Sequence, residues 1–120
     1  MKISGAESVI MAALWKREPL TAEEIGAEVA EGQGWTEATV KTLINRLLKK
    51  KALAATRDGR RFLYRPLVAR SAYVSAESQG LLDRLFDGRL APLVSHLSQS
   101  RSLTPEDIAE LKRLIAEMDR

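Results

Sequence analysis

Apolar positions recur along the chain with two different periods, and the changes of period divide it. Val9, Ile10, Ala13 and Leu14 follow helical spacing behind Ser4-Gly5-Ala6-Glu7. There the serine hydroxyl and the glutamate carboxylate can each accept an orphan N–H, the arrangement of a capping box. Pro19 stops that helix. Thr21-Ala22-Glu23-Glu24 repeats the capping signal and opens a shorter helix, with Ile25 and Val29 as its buried face and Gly32 and Gly34 at its end. A third helix is capped by Thr36, with Glu37 in its first turn. Its Val40, Leu43, Ile44, Leu47 and Leu48 fall on one apolar stripe, opposite Thr39, Lys41, Thr42, Asn45, Arg46 and Lys49.

After Leu53 the helical period is lost. Ala54 to Tyr64 reads as two short strands around Asp58-Gly59, a type I′ hairpin signal, with Arg57, Arg60 and Arg61 at the tip and Pro66 ending the second strand. Three helices followed by a basic-tipped hairpin make a winged helix-turn-helix, in which the third helix lies in the major groove and the hairpin presses on the adjacent backbone. The remaining third is helical. One helix runs from Ser71 to Phe86, carrying Val74, Leu81, Leu82, Leu85 and Phe86, and Gly88 closes it. Leu90, Leu93, Val94 and Leu97 mark a short helix, and Ser98 to Ser102 is expected as a linker. Thr104-Pro105-Glu106-Asp107 starts the last helix, with Ile108, Leu111, Leu114, Ile115 and Met118 as its apolar stripe. The expected architecture is mainly α, with a winged helix-turn-helix DNA-binding domain over residues 1–70 and a helical dimerisation domain over residues 71–120.

Charge sharpens that outline. The chain of 120 residues has a formal charge of only +3. Residues 1–40 carry −4, residues 41–70 carry +9 and residues 71–120 carry −2. Ten cations opposed by Asp58 alone, within thirty residues, are the footprint of a polyanion site. The absence of Cys excludes disulfides and thiolate-bound metals. His96 is the one histidine, without partners at ligand spacing, and no cofactor cradle or nucleophile–base motif is present. No metal, no cofactor and no catalysis are therefore expected. No apolar run approaches the ~20 residues needed to span a bilayer. The amino-terminal stretch, interrupted by Glu7, lacks a clean signal-peptide core, so a cytoplasmic protein without membrane contact is expected.

Candidate roles follow from residue type. Thr36, Thr39 and Thr42 suit phosphate or thymine-methyl contacts, while Lys41 and Arg46 can reach guanine edges or phosphates. Asn45 and Lys49 complete the polar face of the third helix. Arg57, Arg60 and Arg61 on a hairpin tip suit phosphate, which adds affinity and salt dependence without specificity. Trp15 and Trp35 read as packing residues. The three later helices are too small to bury a core alone. Leu81, Leu82, Leu85, Phe86, Leu93, Val94, Leu97, Ile108, Leu111, Leu114, Ile115 and Met118 are accordingly expected to meet a second copy. The competing reading is a winged-helix protein-interaction module without specific DNA binding. Such modules usually lose the basic bias that this chain keeps.

A family resemblance rests on several stretches: Ile3 to Glu7 with Leu14-Trp15-Lys16, Pro19 to Ile25, Trp35 to Leu47, Tyr64 to Val68, Leu82 to Gly88, Leu93-Val94, and Leu103 to Leu111. With these the chain resembles the penicillinase repressors, the BlaI/MecI/CopY-type transcriptional repressors. The resemblance implies a homodimer on inverted-repeat operators of double-stranded DNA, with the carboxy-terminal helices intertwined. In that family a membrane sensor with protease activity leads to repressor cleavage, and copper-responsive members carry carboxy-terminal cysteines. This chain has no cysteine, and has His96-Leu97 where an Asn-Phe bond is typical. A protease, an antagonist protein and a small ligand are the candidate release signals.

Overall fold

The computed structural model describes residues 2–119. Its elements run α1 (Gly5–Lys16), α2 (Ala22–Gln33), α3 (Glu37–Lys49), β1 (Leu53–Asp58), β2 (Arg61–Pro66), α4 (Arg70–Phe86), α5 (Leu90–Gln99) and α6 (Pro105–Met118). The caps read from the sequence form as expected. Ser4, Thr21 and Thr104 each accept from the backbone N–H three residues on, and Glu7, Glu24 and Asp107 return the bond to the cap N–H. Gly34 ends α2 at φ +63°, a left-handed conformation that glycine adopts without a Cβ penalty.

Three local features differ from the sequence reading. Ser98 and Gln99 belong to α5, and the turn that ends it engages Ser100, Arg101 and Ser102. The hairpin loop is Gly59-Arg60, because Asp58 already pairs with Arg61 in the ladder. Gly59 has φ +65° and Arg60 does not share a positive φ, so the turn has the φ signs of type II′ rather than type I′. The third difference is an isolated bridge outside the hairpin. Leu20 exchanges backbone bonds with Tyr64, N–H to O at 3.1 Å and O to N–H at 2.8 Å, which anchors the wing to the segment entering α2.

Packing explains why the first three helices are fixed. Ile10, Met11, Leu14, Leu20, Ile25, Ile44 and Leu47 are almost completely buried together. Trp15 closes one side: its indole N–H donates to the Val68 carbonyl at 2.8 Å, and its ring lies 5.4 Å from that of Tyr73. The chain divides into two compact units, Met1–Val74 and Ser75–Arg120, so the division falls inside α4 rather than at its start. Among the described residues, none after Leu53 is fully buried. Within the second unit, Leu81, Leu82, Phe86, Leu93, Val94, Leu97 and Leu111 are half-buried, whereas Leu85, Ile108, Leu114, Ile115 and Met118 are exposed. Leu90, Leu93, Val94, Leu97, Leu111 and Leu114 line an open groove of about 320 Å³ between α5 and α6.

Candidate nucleic-acid interface

The outer face of α3 is set by its inner one. Val40, Leu43, Ile44 and Leu47 are buried, which turns Lys41, Thr42, Asn45, Arg46 and Lys49 to solvent. The wing stands beside this helix. Glu37 and Lys41 from α3, Thr21 to Glu23 from the start of α2, and Arg60, Arg61, Phe62 and Tyr64 from the hairpin line one open cleft of about 270 Å³. Helix and wing therefore present their cations to a common surface, within the first compact unit.

Which of these side chains are available differs from the sequence expectation. Thr36 is the N-cap, its hydroxyl bonded to the Thr39 N–H at 3.2 Å and lying 3.1 Å from the Thr39 hydroxyl. Thr42 donates to the Ala38 carbonyl at 2.9 Å. All three threonine hydroxyls are thus engaged within their own helix. Lys41 pairs with Glu37 at 3.1 Å, one turn back, a link readable from the four-residue spacing. Asn45, Arg46 and Lys49 have no side-chain hydrogen bond or ion pair among the described residues.

The wing is similarly graded. Asp58 holds Arg61 through both its Nε and Nη2, at 3.1 and 3.0 Å. Arg57 donates to the Gly59 carbonyl at 3.0 Å and lies over the Phe62 ring. Arg65, not among the sequence candidates, crosses the ladder to the Thr56 hydroxyl at 2.9 Å. Arg60, at the second loop position, is the wing-tip arginine without such a tether among the described residues. These pairs are exposed, and exposed pairs contribute only about 0–1 kcal/mol, so a phosphate can displace them at little cost. Arg61 also acts on its surroundings. The Glu24 carboxyl is held below its ordinary value, first by the Thr21 N–H and hydroxyl and then by Arg17 and Arg61.

The Lys49–Lys51 run is not one patch. Lys49 continues the outer face of α3. Lys50 turns inward to the buried Glu7 carboxylate and to the Lys2 carbonyl, tying the end of α3 to the start of α1. Lys51 sits at φ +63° and closes the helix, with the Lys51 and Ala52 N–H groups bonded to the Leu48 and Leu47 carbonyls. No sequence signal separated these three roles.

A three-helix winged fold with a cationic outer helix face and a cationic wing defines a DNA-binding protein of the transcription-factor class. The penicillinase repressor family matches residues 3–117, and the chain belongs to it. The family consists of transcriptional repressors, not enzymes. The chain is 32% identical over 116 residues to the penicillinase repressor of Bacillus licheniformis, covering 97% of this chain and 91% of that one. It is 28% identical over 114 residues to the methicillin resistance regulatory protein MecI of Staphylococcus aureus, covering 95% and 93%. The solution structure of the Bacillus licheniformis BlaI monomeric form in complex with the blaP half-operator matches with TM-score 0.54 and 34% identity, over 61% of this chain and 89% of that chain. Among the described residues, no helix is long and apolar enough to cross a membrane.

Proposed function

We propose that this repressor binds an inverted-repeat operator in double-stranded DNA as a homodimer, with α3 in the major groove and the wing on the flanking backbone. The observation that carries it is the shared surface of α3 and the hairpin. Asn45, Arg46 and Lys49 are untethered on the helix face, Arg60 is untethered at the wing tip, and Lys41 and Arg61 need only exchange exposed partners. Thr36 and Thr39 serve this interface by fixing the start of α3. Thr42, Arg57 and Arg61 complete the contact set.

Dimerisation is supported by the lack of any fully buried side chain among the described residues of the second unit. Leu81, Leu82, Leu85, Phe86, Leu93, Val94 and Leu97 with Ile108, Leu111, Leu114, Ile115 and Met118 are the residues a second copy covers. Two copies place two α3 helices about one helical turn, or a multiple, apart on the duplex. The protein acts in the cytoplasm. A protease or antagonist protein remains a partner for induction; His96-Leu97 lies inside α5, so cleavage there requires that helix to open locally.

Titration of a fluorescent duplex from the protein's own upstream region against a scrambled one tests the proposal. Specific DNA is expected to bind at least tenfold tighter at about 150 mM salt. Equal binding overturns sequence specificity and favours a protein-interaction role. Arg60→Gln is expected to weaken binding to all duplexes and to lower the salt slope by about one. Met118→Glu is expected to leave the tryptophan-bearing first unit folded while yielding a monomer by light scattering.

A further inference from the structure

Ala38 was not among the sequence candidates, yet it lies at the amino-terminal end of the outer face of α3. With Val40, Leu43, Ile44 and Leu47 turned inward, Ala38, Thr42, Asn45 and Lys49 form the opposite row, spaced by four, three and four residues. Ala38 is exposed in the first turn, the end of a recognition helix that meets base edges. Its neighbours Thr36, Glu37, Thr39 and Lys41 are all polar, so its methyl is an isolated apolar point on a polar surface.

Thr42, one turn further on, extends that point. Its hydroxyl proton is committed to the Ala38 carbonyl at 2.9 Å, which leaves a base no donor there. What Thr42 can offer is an acceptor lone pair and a methyl group. The one apolar feature on the floor of the major groove is the C5-methyl of thymine, and alanine and the threonine methyl are side chains that contact it. We infer that Ala38 and Thr42 read a thymine methyl in each half-site, and that Ala38 is a specificity-determining residue. The inference rests on the proposal that α3 enters the major groove. It assigns the apolar component of readout to this pair, while Asn45, Arg46 and Lys49 supply the polar component.

Deoxyuridine removes the C5-methyl and leaves the hydrogen-bonding edge of thymine unchanged. The probe is a duplex that the full-length protein recovers from a randomised pool, with each thymine replaced in turn by deoxyuridine and affinity read by fluorescence anisotropy. One position per half-site is expected to weaken wild-type binding about fourfold, the effect of burying one methyl. Thr42→Ser keeps the hydroxyl bond and removes only the methyl. Ala38→Ser replaces the apolar contact with a polar one. Both variants are expected to bind thymine and uracil within twofold of each other at that position. If no uracil matters to the wild type, or both variants keep the full discrimination, the inference is overturned while specific binding stands. If the protein recovers no preferred duplex at all, the DNA-reading proposal itself fails first.

Discussion

Glu7 and Lys50 form a pair whose halves should differ sharply in what their removal costs. The Glu7 side chain is 1% exposed and that of Lys50 is 34% exposed. One Glu7 oxygen accepts from the Ser4 N–H at 2.8 Å and from Lys50, and the other is buried without a hydrogen-bond partner among the described residues. Lys50→Met strands a buried carboxylate without its countercharge, a loss of about 3–5 kcal/mol. Glu7→Gln retains an acceptor for Ser4 and leaves Lys50 free to turn to water, so the loss is nearer the ~1.5 kcal/mol of a charge-assisted hydrogen bond. Burial pushes the Glu7 carboxyl up, but the bonds from Lys50 and Ser4 and the Lys50 charge outweigh it and hold the group below its ordinary value of 4.5. In the wild type this group therefore adds stability above the unfolded carboxylate range, lost as pH falls through the lower folded value. In Lys50→Met burial acts without the lysine, the folded value rises, and protonation relieves the variant as the pH falls. Urea unfolding followed by tryptophan fluorescence reads the first unit, because Trp15 and Trp35 both lie in it. The expected result is a larger penalty for Lys50→Met at pH 7, shrinking between pH 7 and about 5, against a flat penalty for Glu7→Gln over that window. Equal penalties at pH 7, or a Lys50→Met penalty that ignores pH, would refute the reasoning.

Three further outcomes can be checked on the same protein. Lys51→Gly relieves a left-handed residue and should stabilise the first unit by about 1 kcal/mol, while loss of its charge weakens DNA binding. Urea midpoints and anisotropy titrations measure the two effects separately. Trp15→Phe deprives the Val68 carbonyl of its donor and should lower stability by about 1 kcal/mol in the same unfolding assay. Asp58→Asn releases Arg61 and removes the lone acid of the basic segment, so affinity for any duplex should rise, by up to about fivefold at low salt.

Elements with a local signal were legible in the sequence. The caps at Ser4, Thr21, Thr36 and Thr104 depend on residues three apart, and the buried face of α3 depends on a period, so both can be read before folding. The Leu20–Tyr64 bridge could not be read, because it joins residues distant along the chain with no pattern of their own. The hairpin turn slipped by one residue, because Asp58-Gly59 favours one turn while the strand register places Asp58 opposite Arg61. At the interface the cations were legible as charge, but their tethers were not. Lys50 and Lys49 are indistinguishable in a run of lysines until the buried Glu7 separates them. Ala38 gives no signal of its own because a methyl carries neither charge nor hydrogen-bonding group; its position on the outward face is what gives it the proposed role.

The second unit lacks a closed interior. If a second copy covers it, as proposed, encounter and completion of the fold are one event, and the stability of this half rises with the amount of protein present. On that proposal the regulator behaves as a gauge of its own abundance. Below the concentration at which pairing is favoured, single chains leave Leu85, Ile108, Leu114, Ile115 and Met118 exposed to solvent. Above it, paired chains are both the durable form and the form able to hold two half-sites at once. On the same proposal, any agent that tips this balance releases the DNA.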